Sequence, residues 1–484
     1  MSNNLENLKN FFDEKVKSPV FFVHPNVNFG IGLEKLINNF HIICSRKSDL
    51  VKQLSNEGVS VFCLNNDRIN NSAEILRNKK TLEFINKVKE KARNNQPLIT
   101  TFKPSPALEK ICAENNFKYL GNDWRLNREL ENKIKFNEVL KKLKIPSAES
   151  EIIDTDKINY QHLKNKFGKK FIVQLPRGFS GNSTFLVTPS DLPLSRGGDK
   201  ISLLIKEGLG NIFGKKIKIS KFIKGPTITF NACLLKSGLL TGWPFYQITG
   251  EKKLNQNILG SCGNDFAVDL KLNKKALGEI YNYTKLIGEY LKTLDYKGIF
   301  GLDFVIDENN QEVHLIEINP RLTASIPVFT KLQIKNNKPP FLALHILEFL
   351  GLDYFRNVRD TKCLRILDIR YNFSQLILRN TADSPVEISK NIPSGIYKME
   401  NNKLKFIKPA YCLESLNNQN EFLIQCLSFE NTINPNIEYA NVQINDAVID
   451  NDFELRNKIK IILELLFEEI ELRKNYSPPK KGLS

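Results

Sequence analysis

Two apolar runs, Gly301-Leu302-Asp303-Phe304-Val305-Ile306-Asp307 and Leu315-Ile316-Glu317-Ile318-Asn319-Pro320-Arg321, flank the polar stretch Glu308-Asn309-Asn310-Gln311. Short apolar runs around turn-forming residues predict a β-hairpin. Both runs are too apolar for an exposed hairpin, yet both carry carboxylates. A carboxylate in a buried strand needs a cation or a metal beside it. In the second strand, side-chain alternation puts Glu317 and Asn319 on one face with Val313 and Leu315, and His314, Ile316 and Ile318 on the other. Asp303 joins the Glu317–Asn319 face if the loop holds an odd number of residues. Two carboxylates and an amide oxygen are hard donors that suit Mg²⁺ (Mn²⁺ is the alternative), an ion that keeps waters and shares phosphate oxygens. The other reading of this cluster is a structural Asp–Arg salt bridge at a strand end.

The 484 residues allow two to four domains. No apolar run reaches transmembrane length, and Met1 to Glu6 lack the basic-then-apolar pattern of a signal peptide, so a cytoplasmic location with no membrane partner is expected. The eight cysteines show no zinc spacing and no Cys-x-x-Cys, so free thiols are expected. Cys262, in a polar Gly-rich loop, reads as a surface thiol. The net charge of +17 raises the question of nucleic acid. The lysines, however, are spread along the chain among acids, which argues against a nucleic-acid surface and leaves a general attraction for anionic ligands.

Strand and helix patterns alternate over the first ~125 residues, which predicts a parallel sheet flanked by helices. The strands are Val20–Val23, His41–Cys44, Val59–Cys63 and Leu98–Thr101, and a helix is expected from Ala73 to Arg93. Gly30-x-Gly32 lacks the third glycine and the acidic residue of a dinucleotide fingerprint and reads as a tight strand-to-helix turn. A helix from about Arg128 to Leu143 ends at Ile145-Pro146. The strand Phe171–Gln174 then runs through Leu175-Pro176-Arg177 into Gly178-Phe179-Ser180-Gly181-Asn182-Ser183-Thr184, a loop able to aim backbone N–H groups at phosphates. Two strands follow about Gly225-Pro226, then a helix from Lys274 to Leu294, the hairpin, a helix near Pro340–Leu350, a β-rich segment from about 360 that includes Leu364–Tyr371 and Ser374–Leu378, and a helix from Asp452 to Arg473. The tail Pro478–Gly482 is expected to be disordered.

Asp-Phe-x-x-Asp followed by Glu-Ile-Asn-Pro-Arg resembles the metal-binding end of the ATP-grasp ligases, the superfamily of carbamoyl-phosphate synthetase, biotin carboxylase and D-alanine–D-alanine ligase. Glu131-Asn132-Lys133, closed by Leu143-Lys144-Ile145-Pro146, resembles the opening segment of that domain. The loop Gly178–Thr184 resembles its phosphate-covering loop, and Lys218–Asn231 its adenine-holding hinge. The resemblance spans roughly 190 residues in the family's order. It implies an α/β and α+β architecture: a Rossmann-like domain over 1–127, a two-lobed ATP-grasp domain over 128–350 with a lid at about 148–220, and a C-terminal α+β domain over 351–484.

The same resemblance implies roles. Asp303, Glu317 and Asn319 hold Mg²⁺, and Arg321 faces a carboxylate or acyl phosphate. Lys133 contacts a nucleotide phosphate, although by residues alone it also reads as a solvated helix lysine. Gly178, Ser180, Gly181, Asn182, Ser183 and Thr184 cradle phosphates. Lys221 and Ile223 offer backbone groups to adenine. The chain departs from the family at Gln174, where a phosphate-pairing lysine is usual, and Arg177 is the expected replacement for that charge. The implied activity is ATP-dependent joining of a small-molecule carboxylate to an amine through an acyl phosphate, releasing ADP. A bicarbonate-using enzyme and a non-catalytic ATP-binding regulator are the alternatives, and a homodimer is expected by analogy.

Overall fold

The computed structural model describes residues 4–66, 68–178, 183–188, 216–355, 370–388, 390, 392–416, 418, 420–427, 432–470 and 472–473. The loop residues Ser180, Gly181 and Asn182, most of the strand expected at Leu364–Tyr371, and the tail lie outside them.

The chain opens with α1 (Asn4–Lys15), β1 (Val20–Val23), β2 (Phe40–Cys44), α2 (Asp49–Asn56), β3 (Val61–Cys63), α3 (Ser72–Arg77), α4 (Lys79–Lys91), β4 (Leu98–Thr101), α5 (Pro106–Glu114) and β5 (Lys118–Tyr119). The five strands form a parallel sheet in the order β3-β2-β1-β4-β5. The helix expected from Ala73 to Arg93 is two helices. Asn78 adopts an extended conformation between them, and its side chain accepts from Lys80 N, capping the second. The turn at Gly30-x-Gly32 leads into short 3₁₀ turns, not a long helix. One face of the sheet packs Phe21, Val23, Ile43 and Ile99 against α3 and α5. The other shares a core with residues far along the chain, including Phe329 and Leu344.

Next come α6 (Trp124–Leu130) and α7 (Lys133–Lys142). The single helix expected from Arg128 is interrupted here, because the Asn132 side chain accepts from Ile134 N and Lys135 N and starts a new helix at Lys133. A small unit follows: β6 (Ser150–Asp154), α8 (Tyr160–Phe167), β7 (Phe171–Gln174), β8 (Thr184–Val187) and β9 (Lys216–Lys221). Its sheet order is β6-β9-β7-β8, all antiparallel. Phe171, Val173, Ile217 and Ile219 point to one side and pack on Leu163 and Phe167 of α8.

The main body holds β10 (Thr227–Leu235), β11 (Gly238–Thr241), β12 (Phe245–Ile248), β13 (Gly263–Asp265), α9 (Lys274–Lys292), β14 (Gly298–Ile306), β15 (Val313–Asn319), α10 (Ile326–Lys335) and α11 (Phe341–Leu350). Beyond it lie β16 (Ser374–Arg379), β17 (Val386–Ile388), β18 (Gly395–Glu400), β19 (Lys403–Pro409), β20 (Glu421–Cys426), β21 (Thr432–Ile433), β22 (Glu438–Ile444), α12 (Asn457–Ile470) and β23 (Leu472–Arg473). One eleven-stranded sheet runs β15-β14-β10-β12-β13-β16-β22-β20-β18-β19, with β11 on β10. Of the strands after 370, β16, β18, β19, β20 and β22 extend the sheet that carries the hairpin, through the pairing of β13 with β16, while β17, β21 and β23 form a separate small sheet. Helix α12 buries Ile459, Ile462, Leu463 and Leu466 in the same core. Cys262 is fully buried in that core, so it is no surface thiol, and burial pushes it up to about 11.

Candidate active site

A cleft of ≈ 420 Å³ lies between the small sheet and the large one. Its floor is the β14–β15 hairpin together with Thr227 and Thr229 of β10, Gln247 of β12 and Asn264 of β13. Asp303 stands directly opposite Glu317, and Gly301 opposite Asn319, so Asp303 shares a face with both expected metal ligands. The register then slips: Phe304 faces Leu315, which leaves Ile316 as an extra residue. This β-bulge changes the simple alternation. Val313 and Leu315 do not share a face with Glu317 and Asn319, as strict period two requires. They join Ile318, Leu302 and Phe304 in the core, while Ile316, Glu317 and Asn319 line the cleft.

Asp303 is 9% exposed. Thr229 Oγ1 donates to its Oδ1 at 2.8 Å, and Asn319 Nδ2 donates to its Oδ2 at 2.9 Å. Burial, and then the Glu317 carboxylate, push Asp303 up to about 7. The donor set, two carboxylates and an amide, fits Mg²⁺, which commonly takes one or two carboxylates and completes its shell with water and phosphate.

Arg321 leaves the end of β15 and is held on several sides. Its Nε donates to Glu131 Oε1 at 2.9 Å, Nη2 to Asn319 Oδ1 at 2.9 Å and Nη1 to Leu322 O at 2.9 Å. The guanidinium also sits 4.8 Å from the centroid of Phe102, which follows β4 of the first sheet. Burial opposes ionisation of Glu131, but Arg321 and Lys103 outweigh it and hold its carboxyl below the usual range. Arg321 is thus fixed in orientation while still lining the cleft.

Lys133, at the first turn of α7, is 4% exposed and lies outside the cleft lining. Its Nζ donates to Glu317 Oε1 at 3.1 Å and to Gly178 O at 3.4 Å. It therefore ties the metal-ligand candidate to the base of the loop. Gly178 abuts Ser183, where an added Cβ would come within 2.3 Å of the serine Cβ. Thr184 lines the cleft, while Arg177 is exposed and does not. Gln174 lines it at 8% exposure, and its Nε2 lies 3.4 Å from Thr184 Oγ1. Lys221 and Ile223 also line the cleft at the join to the large sheet. The turn there is tight. Gly225 has φ +152°, and a Cβ would fall 1.8 Å from Ile306 O.

The sequence reading missed Lys218, Thr229, Glu131 and Phe102 as site residues. Lys218 is 3% exposed on the cleft face of β9, opposite Gln174. Burial, and then Lys133, lower it to about 8. The alternation Lys216, Lys218, Ser220 against Ile217, Ile219 was the available signal. Glu131 and Phe102, the distant partners of Arg321, lie about two hundred positions away and left no local trace.

The cleft lies between a small antiparallel sheet and a large one, with Asp303, Glu317 and Asn319 on the large sheet and Lys218 on the small one. Residues 130–325 match the family model described as ATP-grasp domain. Carbamoyl phosphate synthase large chain from Clostridium acetobutylicum is 26% identical over 220 residues, 45% of this chain and 19% of that one. The match thus spans about a fifth of that relative. Among solved structures, biotin carboxylase from Campylobacter jejuni is similar in fold, with a TM-score of 0.56 at 15% identity over 96% of this chain and 93% of that one. N5-carboxyaminoimidazole synthase from Aspergillus clavatus, complexed with ADP and 5-aminoimidazole ribonucleotide, is similar with a TM-score of 0.54 at 14% identity over 94% and 99%. The biotin carboxylase domain of Hydrogenobacter thermophilus 2-oxoglutarate carboxylase, a dimer described with MgADP and bicarbonate, gives 0.54 at 14% over 88% and 86%. No helix among the described residues is long and apolar enough to cross a membrane.

Proposed function

We propose that this protein is an ATP-dependent carboxylate–amine ligase that works through an acyl phosphate and releases ADP. The observation that carries the reading is the pairing of Asp303 with Glu317 in register, with Asn319 and a clamped Arg321 on the same cleft wall. Asp303, Glu317 and Asn319 would hold Mg²⁺, which when bound neutralises phosphate charge. The carboxylate oxygen of the substrate attacks the γ-phosphorus, and ADP leaves with the electron pair of the broken P–O bond. The amine then attacks the acyl carbon, and phosphate leaves as the amide forms and the ammonium proton is lost to solvent.

Arg321 supplies a planar cation for the carboxylate and then for the acyl phosphate. Its bonds to Glu131 and Asn319 fix its orientation before substrate arrives, which lowers the entropic cost of reaching the reactive geometry. Lys221 and Ile223 would present backbone groups to adenine, and Thr184 a hydroxyl to phosphate. The wall beside Arg321 is Phe102, Thr323, Ala324 and Ser325. An aromatic ring with small hydroxyl and methyl groups suits the carbon skeleton of an organic acid better than bare bicarbonate, the anion bound in one fold neighbour.

The test is nucleotide release from Mg-ATP with pools of carboxylates and amines, and separately with bicarbonate, beside Glu317→Ala. The expected result is pool-dependent ADP and phosphate, absent in the variant. AMP as product would replace the acyl phosphate with an adenylate, and ADP release driven by bicarbonate alone would move the protein to the carboxylating enzymes.

A further inference from the structure

We propose that Lys218 holds the nucleotide's phosphate oxygens, supplying from β9 the positive charge that β7 lacks at Gln174. The inference rests on the ATP reading above and deepens it. Gln174 and Lys218 are direct cross-strand partners, flanked by the Gln174–Thr184 pair, so Thr184, Gln174 and Lys218 form one row across the roof. All three line the cleft. Opposed Cβ atoms on neighbouring strands lie about 5 Å apart, within the reach of a lysine side chain. A cation moved by one strand can therefore serve nearly the same point below the sheet.

Lys133, Arg321 and Arg177 are each committed or misplaced. Lys133 is engaged by Glu317 and Gly178. Arg321 is engaged by Glu131 and Asn319. Arg177, the replacement expected from the sequence, is exposed and outside the cleft. Lys218 is 3% exposed and has no ion pair among the described residues. A buried ammonium without a partner is costly, and the cost is removed when a polyanion enters. The opposite face of β9 is apolar, with Ile217 and Ile219 packed on α8, so the strand cannot turn Lys218 away without losing its core.

The experiment measures equilibrium binding of Mg-ATP by calorimetry and of adenosine by ligand-observed NMR. It compares the full chain, Lys218→Gln, and the exchanged double variant Lys218→Gln with Gln174→Lys. Lys218→Gln is expected to weaken Mg-ATP at least about tenfold, or about 1.4 kcal/mol, and to leave adenosine unchanged. The double variant is expected to recover most of that affinity. A merely structural lysine would lower both ligands together, and that result would overturn the proposal. Unchanged Mg-ATP binding in Lys218→Gln, or loss without recovery in the exchange, would overturn it as well while leaving the ATP reading in place. A wild-type chain that binds no Mg-ATP would remove the ATP reading and this inference with it.

Discussion

The floor of the cleft draws on β10, β12, β13, β14 and β15 of an eleven-stranded sheet, and the roof on three strands of a four-stranded one. The floor's buried side belongs to a core that includes Phe300, Leu302, Phe304, Leu315, Ile287 and Leu291 and continues through α12. Among the described residues, the roof's core is seven buried apolar residues around α8. The floor carries carboxylates and the roof carries Lys218. An acidic metal site gains from a rigid support, because ligand geometry must hold while the charges repel one another. A phosphate cover gains from a small unit that can open at modest cost. The same strand pleat, polar inward and apolar outward, serves both, and the size of the core behind it sets how firmly each is held.

The largest expected effect breaks the floor's chemistry without breaking the floor. Asp303→Asn keeps the side-chain volume and removes a carboxylate whose ionisation the fold opposes. Product formation should fall at least about 100-fold, equivalent to about 2.7 kcal/mol, while the thermal midpoint stays level or rises. Near-wild-type turnover by this variant would remove Asp303 from the metal site.

The second effect weakens the floor by pH. His345 packs beneath β14, where its Nδ1 accepts from Ile299 N at 3.1 Å and its Nε2 faces Leu120 O at 3.3 Å. That pattern needs the neutral ring with the proton on Nε2. Burial lowers His345 to about 4, against about 6.5 in an unfolded chain. The folded pKa is depressed, so between these values the unfolded chain binds more protons. Stability is therefore fully present above about 6.5 and is lost as pH falls toward 4. At pH 4.5 the loss from this one group approaches about 2.7 kcal/mol. Urea titrations at pH 7 and 4.5 should show it for the wild type and a smaller change for His345→Gln. Equal losses in both would show that protonation of His345 is not what weakens the floor.

How much of this was legible in the sequence follows from the range of each interaction. The hairpin was legible because its signal is local: apolar runs, a polar turn and carboxylates out of place. Four of the five parallel strands were legible for the same reason, while the two-residue β5 was too short to leave a pattern. The bulge at Ile316 was not, since it depends on how β15 meets β14 and not on either strand alone. The Asn132 and Asn78 breaks carried a local sign, an asparagine before a helical run, which a capping argument can read. The Gln174–Lys218 pairing joins strands forty-four positions apart and needs the register of β7 on β9. The Glu131–Arg321 clamp spans 190 positions and needs the whole body assembled.

The smallest effect sharpens the comparison because the same substitution is made on both sides. Ile219 in the roof and Ile299 in the floor are both fully buried. Shortening either to valine should cost about 0.5–1.5 kcal/mol. The readouts should nevertheless differ. Ile299 lies on β14, inside a core shared with the first sheet, so Ile299→Val should lower the midpoint of global unfolding. Ile219 lies in a core of its own, so Ile219→Val should speed hydrogen exchange across β7 and β9 while leaving the exchange of β10 and β14 and the global midpoint where they were. Mg-ATP should slow exchange in the roof of both proteins if the lid closes on the nucleotide. A roof that exchanges in step with the floor in every variant would mean that the two sheets open as one unit, and the difference in core size would then have no consequence for how the cleft opens.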